Sequence, residues 1–166
     1  MAASIPAAVI TVSDRCAAGQ AEDRSGPLAV ELLAGHGLAA PAPMVVPDGI
    51  DSVADAIARA IAEGARLVFT TGGTGVAPRD VTPQATAPLL ASRLDGVADA
   101  IRRRGAEKVP NALLSRGLVG VTGHGPSAAL VVNAPGSTGG VRDAVAVVGP
   151  LVPHVIDQLQ GGDHTR

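Results

Sequence analysis

Apolar positions in this chain alternate between short unbroken runs and stripes at helical spacing. Residues 7–13 are small and β-branched, the pattern of a buried strand. A polar loop follows from Ser13-Asp14-Arg15 through Glu22-Asp23-Arg24. Ser25-Gly26-Pro27 opens a helix with Leu28 and Leu32 on one face, and Gly35 and Gly37 close it. Met44-Val45-Val46 reads as a second strand, bounded by Pro43 and the turn Pro47-Asp48-Gly49. Ile50, Val53, Ile57 and Ile61 then recur at helical spacing, opposite Asp51, Asp55, Arg59 and Glu63, so this helix covers a sheet. Leu67-Val68-Phe69-Thr70-Thr71 is the third strand. The order β-α-β-α-β implies an α/β fold: a three-layer sandwich with a mostly parallel sheet.

Downstream the pattern predicts a helix over 83–91 and another over 96–104. The latter buries Val97 and Ile101 and ends in Arg102-Arg103-Arg104, a solvated end near its negative pole. Residues 110–114 form a short helical turn, 118–122 a strand and 128–133 a better one. That strand runs through Ala134-Pro135-Gly136-Ser137-Thr138-Gly139-Gly140 into a helix over 141–148. Pro150 and Pro153 break or bend the tail, where Leu151, Val155 and Leu159 share a face, and 161–166 reads as a loose terminus. Without a repeat or linker, 1–166 is expected to be one domain with its core over 7–160.

Composition narrows the function classes. Apolar residues make up 46% but Phe69 is the lone aromatic, so Val, Leu, Ile and Ala must fill the core. A net charge of −2 speaks against a nucleic-acid or anionic-membrane binder, and the lack of stacking side chains adds to that. One cysteine, Cys16, leaves no intramolecular disulfide and is expected simply to fill space. His36, His124, His154 and His164 show no ligand spacing. With no basic leader and no long apolar span, a cytoplasmic protein is expected.

The chemistry concentrates after the third strand, in Thr70-Thr71-Gly72-Gly73-Thr74-Gly75-Val76-Ala77-Pro78-Arg79-Asp80-Val81-Thr82-Pro83. Thr82 suits a helix cap and Pro83 a first helical turn. A strand, a glycine loop and a helix start place backbone N–H groups beside a sheet edge, a corner that favours an anion. Ser13-Asp14, Asp48, the 72–80 loop and the 135–140 loop each follow a strand, and in a parallel sheet such loops gather at one rim. Neither glycine loop has P-loop or dinucleotide spacing, and the sole lysine, Lys108, lies far off. Phosphates are therefore left to backbone N–H, to the hydroxyls of Thr74, Ser137 and Ser115, to arginine and to a divalent metal. Asp48 and Asp80 suit Mg²⁺, which takes a carboxylate or two plus waters and substrate phosphates. On the residues alone, Asp80 equally suits the helix terminus and Asp48 a turn. Ser13 and Asp14 are divided between site and loop, and Arg79 between a phosphate and an outward ion pair.

The 70–83 segment resembles the signature of the molybdopterin adenylyltransferase family. The Arg-Asp-x-Thr-Pro ending separates it from molybdate-inserting domains and from the competence-damage family. Val12-Ser13-Asp14-Arg15, the block 22–27, Val46-Pro47-Asp48, Leu114-Ser115-Arg116-Gly117 and Asn133-Ala134-Pro135-Gly136-Ser137 also resemble family blocks, in family order, over roughly residues 8–160. Gln84 stands where an acid is usual and Thr138 where proline is common. The resemblance implies transfer of AMP from ATP to the terminal phosphate of molybdopterin, with Mg²⁺ and release of pyrophosphate. It makes Asp48 and Asp80 catalytic and metal-holding. It makes Ser13, Asp14, Thr71, Gly72, Gly73, Thr74, Gly75, Ser115, Pro135, Gly136 and Ser137 substrate-binding. It further implies a homotrimer, or a hexamer of two trimers, with other molybdenum-cofactor enzymes as possible partners. A non-catalytic molybdopterin carrier, a pyrophosphatase of the competence-damage type and a structural oligomer are the rival readings.

Overall fold

Three parallel strands form the centre of the molecule, seen in a computed structural model that describes residues 4–162. β1 (Ile5–Val12), β4 (Leu67–Thr71) and β7 (Leu130–Ala134) lie side by side, with Val9, Phe69 and Val132 in one register row. Two short strands share the outer edge of β1. β2 (Leu38–Ala39) pairs with its start and β3 (Met44–Val46) with its end, both parallel. Beyond β7 the sheet turns antiparallel through β6 (Val119–Val121) to β5 (Ser92–Arg93). The sheet is therefore mixed, with the mainly parallel part at its centre.

The strands are buried on both faces, so their side chains split by period two into two cores. Leu67, Phe69, Leu130 and Val132 point to one side with Val9. They pack against α2 (Ser25–Ala34), α5 (Asp95–Ala106), α6 (Thr138–Val148) and α7 (Val152–Leu159). Ile10, Val12, Val68 and Val131 point to the other side, against α3 (Ile50–Ala62) and α4 (Thr82–Thr86). Phe69 is wholly buried at the middle of the larger core. Four-carbon and smaller side chains fill the rest, as the composition requires.

Several boundaries differ from the sequence reading for identifiable reasons. The 83–91 helix is only α4 followed by a 3₁₀ turn, Ala87–Leu89, because Pro88 has no N–H to return to the preceding turn. The buried stripe of α2 centres on Ala29 and Leu33, with Leu28 and Leu32 packing at its margin. In α7 the buried positions are Val152 and Ile156, while Leu151 stays 42% exposed. Residues 14–17 form a one-turn helix, α1 (Asp14–Ala17), capped by the Ser13 hydroxyl, which accepts from the Cys16 N–H at 3.2 Å. α6 begins at Thr138, three residues earlier than expected, because Ser137 caps it by accepting from the Gly140 N–H at 3.0 Å. Residues 163–166, including His164 and most of the expected loose tail, lie outside the described residues. Among the described residues no helix is long and apolar enough to cross a membrane.

Candidate functional site

The ends of β1, β4 and β7 meet at Gly72. Its N–H donates to the Ala134 carbonyl at 3.0 Å, joining the loops after β4 and β7. A β-carbon on Gly72 would run into the Val12 carbonyl at the end of β1, and φ is +106° there, so only glycine fits. Gly136 closes from the other side, where an added β-carbon would stand 3.2 Å from the Gly72 Cα.

The loop that follows is polarised by its hydrogen bonds. The Gly72 carbonyl accepts from the Thr82 hydroxyl at 2.9 Å and the Gly73 carbonyl from the Thr82 N–H at 3.1 Å. The Thr74 carbonyl accepts from the Arg116 N–H at 2.8 Å and the Gly75 carbonyl from Arg116 Nε at 2.7 Å. Every carbonyl from 72 to 75 is thus satisfied by protein. Among the described residues, the N–H groups of Gly73, Thr74, Gly75 and Val76 have no protein acceptor. Consecutive unpaired amides in a glycine loop form an anion-binding concavity. Thr82 serves this loop and is not the cap of α4; that position is taken by Val81.

Two carboxylates stand over this loop. A β-carbon on Gly73 would come 3.1 Å from Asp48 Oδ1, and one on Gly75 would come 2.7 Å from Asp80 Oδ2. Asp48 is held by an exchange with Asp14: the Asp14 N–H donates to Asp48 Oδ2 at 3.0 Å and the Asp48 N–H to Asp14 Oδ1 at 3.1 Å. Arg79 closes the exchange, donating to both Asp14 oxygens at 3.0 and 2.9 Å and to the Asp48 carbonyl at 2.6 Å. Burial pushes the Asp48 carboxyl above its ordinary value. The Asp14 N–H opposes this, the neighbouring charges of Asp14 and Asp80 add to it, and Arg79 offsets part. Hydrogen bonds from Arg79 hold the Asp14 carboxyl below its ordinary value. Asp80 folds back over its own loop, accepting from the Ala77 N–H at 3.0 Å.

Two cavities of about 550 Å³ each meet at Thr74, Gly75 and Asp80. The first is polar, lined by Ser13, Asp48, Thr71, Gly72, Gly73 and Gly136, with Cys16 and Thr138 also on its wall. The second is mostly apolar and lies under α5 and the 3₁₀ turn Pro110–Leu114, lined by Ile101, Val109, Leu114, Ser115, Pro135 and Ser137. Among the sequence-named residues, Asp14 lies on neither wall, since its carboxylate is taken up by Arg79 and Asp48. Arg79 makes this ion pair with Asp14 and lines neither cavity.

The donor set suits a hard cation. Asp48 and Asp80 offer carboxylate oxygens beside the loop; the Asp80 charge adds to the negative surroundings of Asp48, and Arg79 offsets part of this. Among the described residues no group of three or more His, Cys, Asp or Glu side chains converges as a cage. Such an arrangement fits Mg²⁺, which completes its coordination with waters and ligand phosphates.

Several residues that shape the site escaped the sequence reading. Arg102 is no solvated helix end: it donates to Asp99 at 2.6 Å and to the Ser115 and Gly117 carbonyls at 3.3 and 3.1 Å. Arg104, with Lys108, pairs with the buried Asp143 of α6 at 3.4 and 3.1 Å. Asn133 is buried and ties three elements together, accepting from the Leu118 N–H at 3.1 Å and donating to the Thr70 and Thr86 hydroxyls at 3.0 Å. Thr11 donates to Asp23 at 2.7 Å, and Asp23 in turn accepts from the Gly26 N–H at 2.9 Å at the start of α2. A polar residue inside an apolar strand was the available signal for Asn133 and Thr11. The arginine contacts depend on tertiary placement and left no local pattern.

Comparison with known proteins identifies the family of the chain. Residues 8–154 match the family described as "Probable molybdopterin binding domain". The chain is 41% identical over 162 residues to a molybdenum cofactor biosynthesis bifunctional protein of Synechococcus elongatus, covering 98% of this chain and 50% of that protein. The chain thus spans about half the length of the bifunctional relatives it matches. A molybdopterin adenylyltransferase of Pyrococcus furiosus is 36% identical over 149 residues, covering 89% of this chain and 87% of that one. The crystal structure of a molybdopterin biosynthesis protein from Mycobacterium abscessus superposes with a TM-score of 0.86 at 45% identity, over 93% of this chain and 95% of that one. With a family match across nearly its whole length and a glycine-loop crevice at the rim of the sheet, the chain belongs to the molybdopterin-binding domain family.

Proposed function

We propose that this chain acts in molybdenum cofactor biosynthesis as a molybdopterin adenylyltransferase, transferring AMP from ATP to the terminal phosphate of molybdopterin and releasing pyrophosphate. The observation that carries this reading is the junction of two cavities at one polarised loop, whose amides at 73–76 have no protein acceptor among the described residues and which has two carboxylates beside it. The polar cavity suits a polyphosphate and the apolar one a flat heterocycle. Relatives named molybdopterin adenylyltransferase support the same assignment.

In this reading a terminal phosphate oxygen of molybdopterin attacks the α-phosphorus of ATP. A new P–O bond forms, the bond to the β-phosphate bridge breaks, and pyrophosphate leaves with its electron pair. The second pKa of a phosphate monoester is about 6, so the nucleophile is ionised at neutral pH and needs no general base. The chain supplies alignment and charge neutralisation. The amides of Gly73 to Val76 hold phosphate oxygens, with the Thr74, Ser115 and Ser137 hydroxyls beside them. Pro135 and Gly136 border the space between the two ligands. Asp48 and Asp80 would hold Mg²⁺, which when bound supplies positive charge to the phosphates. Ser13 and Asp14 act at the rim, Asp14 by fixing Asp48. A cytoplasmic homotrimer, or a hexamer of two trimers, completes the reading.

The test is incubation of the purified chain with ATP, Mg²⁺ and molybdopterin. Pyrophosphate release that depends on molybdopterin is expected. Saturable molybdopterin binding without release would make the chain a carrier, and dinucleotide hydrolysis indifferent to molybdopterin would make it a pyrophosphatase.

A further inference from the structure

We infer that Arg116 is a positioning residue that sets the anion-binding geometry of the 72–80 loop; this rests on the reading of that loop as a phosphate site. Its backbone N–H donates to the Thr74 carbonyl at 2.8 Å, its Nε to the Gly75 carbonyl at 2.7 Å, and its Nη2 to the Asp80 carbonyl. One residue therefore holds the loop at both ends of the 75–80 segment. The planar guanidinium is suited to this, because its donors sit in a fixed fork and can bridge two carbonyls at once.

The consequence follows from the geometry of the peptide unit. Each peptide is a plane with N–H and C=O on opposite sides, so drawing a carbonyl toward Arg116 turns the amide of the following residue away from it. Drawing in the Thr74 and Gly75 carbonyls turns the Gly75 and Val76 amides to the side away from Arg116, where Gly75 lines both cavities and Val76 the apolar one. Thr82 does the same for Gly73 and Thr74 by engaging the two preceding carbonyls. The same Arg116 contact fixes Asp80 through its main chain, leaving the side chain over Gly75.

Arg116 is itself anchored. Arg102 of α5 binds the carbonyls of Ser115 and Gly117 on either side of it, and the following Leu118 N–H donates to the buried Asn133 side chain. A segment tied to α5 and β7 thus holds a loop that follows β4. Ordering the loop before a ligand arrives removes an entropy cost from binding.

The experiment measures order in the loop directly, with and without ligand. Steady-state ¹H–¹⁵N NOE values are recorded for the Gly73, Thr74, Gly75 and Val76 amides in the wild type, Arg116→Ala and Arg116→Lys. The lysine variant keeps charge and stem but gathers its donors on a single nitrogen, without the fixed planar fork that serves the two carbonyls from Nε and Nη2. The side chain holds the Gly75 and Asp80 carbonyls, so the Val76 NOE value is expected to fall in both variants, while those of Gly73 and Thr74, held through Thr82, and of β7 stay near wild type. Affinity for inorganic pyrophosphate with Mg²⁺ should weaken at least about tenfold. Added guanidinium ion should restore part of that affinity in Arg116→Ala, which a general loss of stability would not allow. Loop NOE values equal to wild type in both variants would overturn the role of Arg116, even with pyrophosphate bound normally by the wild type. Loss of loop order in the variants, in a protein whose wild type binds no pyrophosphate, would uphold Arg116 and sink the phosphate reading instead.

Discussion

Gly72→Ala is the sharpest test of how the rim is assembled. Alanine at this position meets two penalties. The first is conformational: φ is +106°, outside the regions open to L-residues, which costs about 1–2 kcal/mol. The second is steric, because the methyl would stand 2.2 Å from the Val12 carbonyl oxygen and the neighbouring strands must part by about 1.2 Å or more to reach an ordinary contact. Overpacking of this kind costs about 1–3 kcal/mol more. The shift also strains the Gly72 N–H bond to Ala134 and the packing of Gly136, so the sum is about 3 kcal/mol or above. Gly19→Ala provides the internal control, since φ is +71° there but nothing lies within 4 Å of an added β-carbon. It carries the backbone penalty alone, about 1 kcal/mol. Urea titrations of the three proteins at one pH, read by far-ultraviolet circular dichroism, measure both values. A Gly72→Ala loss no greater than that of Gly19→Ala would refute the claim that three strand ends are wedged together at residue 72.

Asp80→Asn keeps the Ala77 turn, since an amide oxygen can still accept from that N–H, but removes the charge over Gly75. Its melting point should stay near wild type while adenylyl transfer falls at least a hundredfold in a pyrophosphate-release assay; unchanged turnover would remove Asp80 from the mechanism. Asn133→Leu is close in size but strands the Leu118 N–H and strips a donor from two buried hydroxyls, so urea unfolding should show a loss of about 2–5 kcal/mol. Asp14 and Asp48 carry pH dependences of opposite sign. Asp14 is held below its ordinary value of 3.8, so its contribution to stability is complete above that pH and is lost as pH falls through the lowered native value. Asp48 is raised, so its contribution is present below 3.8 and is lost as pH rises through the raised native value. Urea midpoints between pH 2 and 7 should therefore show Asp14→Asn flattening the acid limb and Asp48→Asn gaining stability at neutral pH, with activity lost.

The parts of the fold that showed in the sequence are those whose pattern is local. The α3 stripe of Val53 and Ile57 and the apolar run of β4 announce themselves within a few residues, because burial on a fixed face demands a fixed period. β2 and β5 are two residues long, too short for any period, and exist because a neighbouring strand offers them an edge. The antiparallel turn of β6 was hidden for the same reason: Val119-Gly120-Val121 reads alike in either direction. At the candidate site the glycine loop stood out by residue type, whereas Asp48 and Asp80 suited a turn and a helix end equally well on the residues alone and took their proposed roles from the family resemblance. What Thr82, Arg102 and Arg116 do depends on which carbonyls come near them, and no spacing along the chain encodes that.

The rim around Gly72 draws on three stretches far apart along the chain, at residues 12, 72 and 134–136. No fragment lacking one of the three central strands can assemble it, and such long-range closures are slow to form during folding. A ligand of this crevice therefore recognises only the finished molecule and has nothing to grip in the denatured ensemble. Occupancy becomes a thermodynamic lock on the native state: a hundredfold excess over the dissociation constant adds about 2.7 kcal/mol against unfolding.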